Sequence, residues 1–79
     1  MTQSTLFRLA QSPNPHDRQQ AAQCTAATWD TLSFSITDRD PLVRGLAARN
    51  PQCPMAFRLI LVRDRHPWVR QTALAALSQ

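Results

Sequence analysis

Apolar residues recur along this chain at helical spacing, and prolines cut the pattern into six stretches. Between Thr2 and Gln11, the cluster Leu6, Phe7, Leu9 and Ala10 predicts a short helix with Ser4 or Thr5 as its N-cap. Ser12-Pro13-Asn14-Pro15 ends it, because each proline removes an amide donor and pushes the preceding residue out of the helical region. A second helix is expected from Pro15 to about Cys24. Asn14 would cap it, and the proline ring falls at the first helical position, where no donor is missed. Thr28 can cap a third helix, Trp29 to about Thr37, with Trp29, Leu32, Ser33 and Ile36 facing inward. Asp40-Pro41 repeats the cap-plus-proline start. Val43, Leu46, Ala47 and Asn50 then fall at i, i+3, i+4 and i+7, which is one helical face, and Asn50-Pro51 closes it. The fifth helix is expected from Pro54 to about Arg63, with Met55, Leu59, Ile60 and Val62 on its apolar side. The sixth begins at His66-Pro67, with His66 as cap, and carries Val69, Ala73, Ala76 and Leu77.

These stretches are copies of one another. Asp38-Arg39-Asp40-Pro41-Leu42-Val43-Arg44 returns 26 residues later as Asp64-Arg65-His66-Pro67-Trp68-Val69-Arg70. The same offset backwards reaches Ser12-Pro13-Asn14-Pro15-His16-Asp17-Arg18, a decayed third copy. Pro15/Pro41/Pro67, Arg18/Arg44/Arg70 and Ala21/Ala47/Ala73 agree in all three. A unit that cannot bury its own apolar face must stack on its neighbours, so a fixed period of this size predicts one domain, residues 1–79, of three helical hairpins at about 1–25, 26–51 and 52–79. The single glycine, Gly45, sits inside a helix, where it costs about 1 kcal/mol against alanine. Either something packs tightly against it or the cost is tolerated.

The run Ala47-Ala48-Arg49-Asn50-Pro51-Gln52-Cys53-Pro54, followed by Leu59, Asp64, Pro67, Val69 and Arg70, resembles the leucine-rich repeat variant family. The Asp-x-x-Pro-x-Val-Arg element is similar to HEAT repeats more broadly. The resemblance spans residues 9–77 and is weakest in the first copy, where Asp17 replaces Val43 and Val69, and Cys24-Thr25 replaces Asn50-Pro51. It implies an all-α fold, a short right-handed α-solenoid in which some helices are short or 3₁₀. It also implies that the repeated acid and arginine link neighbouring repeats. The residues concerned are Arg18, Arg44 and Arg70, each with an acceptor six positions earlier at Ser12, Asp38 or Asp64. A planar guanidinium can bridge two such groups at once. A repeat signature of this kind specifies architecture and is nearly silent on function.

Composition narrows the function classes. A chain of 79 residues buries only roughly 60% of the surface its unfolded form exposes, so large apolar surface left at one end calls for explanation. All nine basic residues are Arg and all five acids are Asp, for a net charge of +4, which permits an acidic protein or nucleic acid as partner. Cys24 and Cys53 are not equivalent in the repeat and form no metal-ligand spacing, so no metal or cofactor is expected. Reduced thiols and the lack of an apolar run long enough for a membrane span make the cytoplasm the expected compartment. No phosphate loop, nucleophile motif or paired carboxylate is present, and Glu is absent, so no catalysis is expected.

Partner-binding candidates lie where the copies differ. Trp68 stands where Leu42 and His16 stand in the other repeats, off the apolar stripe. It is expected either to cap the end of the stack or to contact a partner, a second copy of the chain through the last helix included. The rows His16/Gln19/Gln23, Leu42/Gly45/Arg49 and Trp68/Gln71/Ala75 should align into one mixed polar and apolar surface, which favours a protein or peptide ligand. Arg39 and Arg65 occupy matching turns and, with Arg49 and Arg63, could form a basic edge for nucleic acid. Aromatics are not interleaved with these arginines as a single-strand binder would need. The sequence therefore points to a non-catalytic protein-interaction module, with nucleic-acid binding as the alternative.

Overall fold

Each proline-started helix begins with the same local chemistry. A computed structural model of the chain describes residues 1–78, which form six α-helices: α1 (Gln3–Ala10), α2 (Pro15–Gln23), α3 (Trp29–Ser35), α4 (Pro41–Arg49), α5 (Met55–Leu61) and α6 (Pro67–Leu77). At the start of α2, α4 and α6 the cap accepts the amide of the second helical residue: Asn14 from His16 at 2.9 Å, Asp40 from Leu42 at 2.9 Å, and His66 Nδ1 from Trp68 at 3.2 Å. A cap of this type contributes about 1 kcal/mol and fixes where the helix begins. At α1 the cap is Thr2, whose hydroxyl accepts the Thr5 amide, rather than Ser4 or Thr5. Strands and 3₁₀ helices are absent among the described residues, and the short elements, α3 and α5, are α-helices of seven residues.

The packing order follows the repeat. Helix α2 lies against α4 and α4 against α6, while α1 packs on α2 and α3, and α5 on α4 and α6. One core runs through all of them, with Leu6, Leu32, Val43, Leu61 and Val69 almost or wholly shut off from solvent. Each such residue contributes about 1.5–3 kcal/mol by leaving water. The alanines common to the three copies, Ala21, Ala47 and Ala73, are completely buried and let the even-numbered helices approach closely.

Two helices turn inward a face that differs, in α3 only in part, from the one their apolar residues suggest. In α3 the buried positions are Thr31, Leu32, Ser35 and, just past its end, Ile36, whereas Trp29 is 60% exposed and Ser33 half-buried. Small hydroxyl side chains let α3 sit close to its neighbours, and Ser35 satisfies its own hydroxyl on the Thr31 carbonyl. Trp29, at the first helical position, hangs over the rim and tilts against Phe57, ring centroids 5.4 Å apart. In α5 the buried pair is Phe57 and Leu61, while Met55, Leu59 and Ile60 are exposed and Val62 is half-buried. Two turns of helix bury only a narrow stripe, and the aromatic ring of Phe57 takes it. Leu9 is half-buried, and Phe7 is partly exposed in an edge-on contact with Phe34, centroids 5.1 Å apart.

Candidate functional site

Of the repeated arginines, Arg18 and Arg44 are tied down at both ends of their guanidinium groups and Arg70 at one. Within each hairpin, Nη1 of Arg18, Arg44 and Arg70 donates to the carbonyl six residues earlier, of Ser12, Asp38 and Asp64, at 3.0, 2.8 and 2.8 Å. The side chains at those three places hold their own turns, accepting the amides of Asn14, Asp40 and His66. Between hairpins, Arg18 Nε donates to Asp38 Oδ2 at 3.0 Å. Arg44 grips Asp64 with two parallel bonds, Nε to Oδ2 at 2.8 Å and Nη2 to Oδ1 at 3.0 Å. The bridging acid therefore belongs to the following hairpin, not to the arginine's own. Burial by itself would raise the Asp64 carboxyl. The bonds from Arg44 and the His66 amide, with the charges of Arg44 and Arg65, outweigh it and hold the group below the ordinary carboxylate range.

The opposite ends of the even-numbered helices are fastened by residues that the repeat does not announce. Asn50, buried, donates both Nδ2 protons to α2's last carbonyls, to Ala22 at 2.9 Å and Cys24 at 2.8 Å, while its Oδ1 accepts the Gln52 amide. Arg58 donates Nε to Ala48 O at 3.1 Å and Nη2 to Asn50 O at 2.9 Å, with a longer Nη1 bond to Ala76 O at 3.5 Å. These cations and amides satisfy helix-terminal carbonyls that would otherwise lack partners. Cys53, buried near Arg58, has its thiol raised by desolvation, against which the Arg58 charge and hydrogen bond act only partly. Both cysteines are free. Among the described residues no three of His, Cys, Asp or Glu gather where a metal could sit.

The candidate binding residues do not form one row. Trp68 lays its indole over Gly45 of α4 so closely that a Cβ there would lie 2.5 Å from Cη2 and 2.9 Å from Cε3. Gly45 is thus buried under the ring, which still leaves Trp68 37% exposed. The indole lines two open clefts. On one side it meets Arg49, Thr72, Ala75 and Ala76 around a volume of about 460 Å³. On the other it meets Asp40, Pro41, Leu42 and His66 around a smaller, largely apolar hollow of about 220 Å³. Trp68, Leu42 and Arg49 are therefore brought together. Gln71 and His16 are exposed and line neither cleft, Arg39 lies in a separate cleft with Ser12, Arg18 and Asp38, and Arg63 and Arg65 are exposed at the turn before α6. The sequence pattern left Arg58 without a role and gave Asn50 only the end of α4, where it is the C-cap. The bonds that Asn50 makes to α2 were foreshadowed only by a polar residue on the apolar face of α4, and those of Arg58 by the one charge inside α5's apolar run.

No helix among the described residues is long and apolar enough to cross a membrane. Comparison of the chain with protein families, with curated proteins and with solved structures finds no match.

Proposed function

We propose that the chain is a non-catalytic protein-interaction module of the leucine-rich repeat variant or HEAT-like kind, a short right-handed α-solenoid of three hairpins acting in the cytoplasm. Its ligand is a peptide or protein segment seated around Trp68. The observation that carries this reading is the half-exposed indole standing between two clefts, one apolar and floored by Leu42, one flanked by Arg49. A large amphipathic ring with an apolar hollow on one side and a cation on the other suits an apolar residue followed by an acidic one. Of the three arginines that the repeat makes most conspicuous, Arg18 and Arg44 are not available for a ligand, since both are buried in ion pairs.

A second reading is nucleic-acid binding along the edge formed by Arg39, Arg49, Arg63 and Arg65, favoured by their exposure and by the net charge of +4. Affinity capture from nuclease-treated cell extract, eluted over a salt series, separates the two. A protein ligand stays bound after nuclease and weakens little up to physiological salt. Phosphate contacts lose affinity steeply over the same range, and nuclease-sensitive capture of that kind would replace the first reading by the second.

A further inference from the structure

The outer face of the third hairpin repeats positions of which several are covered in the first two hairpins, and here those stand open. In α4, Gly45 lies under Trp68 and Ala48 is fully buried. One period later, Gln71 is exposed and Leu74 is 54% exposed. In the odd-numbered helices, Phe7 meets Phe34 and Trp29 meets Phe57, each contact running from one hairpin to the next. The residue of α5 that matches Phe7, which is 37% exposed, is Leu59, two periods on and 52% exposed; Met55, one period after Trp29, is 68% exposed against 60% for Trp29. The same holds for charge. Arg18 and Arg44 each direct Nε at an aspartate of the following hairpin, whereas Arg70, in the same register, donates Nη1 to Asp64 O and meets no carboxylate among the described residues.

We infer that this face, Arg70 with Leu59 and Leu74, docks a helical segment of a partner protein that carries an aspartate in the turn ahead of its helix and apolar side chains along it. The inference rests on the repeat architecture proposed above and not on the Trp68 clefts. The chemistry of the occupant is read from the chain itself. Arg70-Gln71 repeats the pair Arg18-Gln19, and what covers that earlier pair is the α3–α4 hairpin, which supplies Asp38 to Arg18 and Phe34 to Phe7. A second copy docking head to tail would offer Ser12 in place of Asp38, Arg8 in place of Phe34 and His16 in place of Leu42, which answers neither the cation nor the apolar residues. Its Asp17 already accepts from Ser12 Oγ at 2.8 Å. A tail-to-tail pair would oppose one Arg70 to the other, and like charges across an interface are repulsive.

The test is a titration of the isotope-labelled full chain with a synthetic peptide copying residues 27–50, followed by amide NMR. Saturable shifts at Leu59, Arg70, Gln71 and Leu74 are expected. Asp38→Asn in the peptide and Arg70→Gln in the chain should each weaken binding about tenfold, the size of a charge-assisted hydrogen-bonded pair. Leu74→Asp, at an exposed position where the fold can be checked by circular dichroism, should abolish it. No saturable shift at millimolar peptide, or equal binding of the Asp38→Asn peptide, would overturn the inference. So would self-association of the chain alone through these residues, which would assign the face to a second copy. Shifts at Leu42, Arg49 and Trp68 report the clefts separately, so shifts confined to them would sink this inference while leaving the peptide-binding reading standing.

Discussion

Arg44→Met removes the guanidinium that joins the second and third hairpins while keeping most of the apolar stem. Arg44 is 4% exposed, and its loss breaks two bonds to Asp64 and one to the Asp38 carbonyl. Removing one partner of a buried ion pair typically costs about 3–5 kcal/mol. Asp64 keeps the His66 amide, so the lower end, about 3 kcal/mol, is expected. In a domain of this size that is a fall in Tm of roughly 12–24 °C, from a total stability of about 4–12 kcal/mol. The internal control is Arg70→Met, the same residue type at the same place in the repeat, which gives up one bond to a carbonyl and should cost about 1 kcal/mol. Thermal and urea unfolding followed by far-ultraviolet circular dichroism at neutral pH measures both. A double-mutant cycle with Asp64→Asn should show coupling above about 1 kcal/mol. If Arg44→Met and Arg70→Met cost the same, the bond between hairpins contributes nothing and the reasoning fails.

Two further outcomes follow from the same geometry. Gly45→Ala should destabilise by about 1 kcal/mol or more and move the Trp68 indole N–H resonance, because the new methyl overlaps the ring. Helix propensity alone would stabilise by about 1 kcal/mol, so the sign of the change decides. Asp64 is held below its ordinary range in the folded chain, so its contribution is complete above the unfolded-state value near 4 and is lost as pH falls through the folded one. Urea unfolding from pH 7 down to strongly acidic pH should therefore show stability declining below about pH 4, with a shallower decline in Asp64→Asn; identical slopes in the two proteins would count against it.

The even-numbered helices were legible in the sequence because their starts are set by local chemistry: cap, proline and an apolar face, all within a few residues. Helices α3 and α5 were less so. Their inward faces are chosen by close approach, which favours Thr31 and Ser35 over Trp29, and Phe57 over Met55, and no apolar count along the chain carries that information. The Arg and Asp positions of the repeated phrase were visible as a period, but the side-chain partners of Arg18 and Arg44 lie 20 residues ahead, in the next hairpin. Trp68 stood out as the odd residue in its register, and Gly45 as a glycine inside a helix. That one covers the other follows only when the two helices are packed together. Arg39 and Arg65 match in the period, but neither they nor His16 and Arg63 line the clefts around Trp68, because repeat register aligns positions without gathering them into one cleft.

The functional reading sets the Trp68 clefts against the basic edge, and one comparison tests it most directly. Affinity capture would be run in parallel with the wild-type chain, with Arg49→Glu, and with a variant carrying Arg39→Ser, Arg63→Ser and Arg65→Ser. All four positions are exposed, so each variant should fold. The proposed module predicts that the captured protein is lost with Arg49→Glu and kept by the triple variant. Loss with the triple variant and retention with Arg49→Glu would contradict it and move the function to the basic edge.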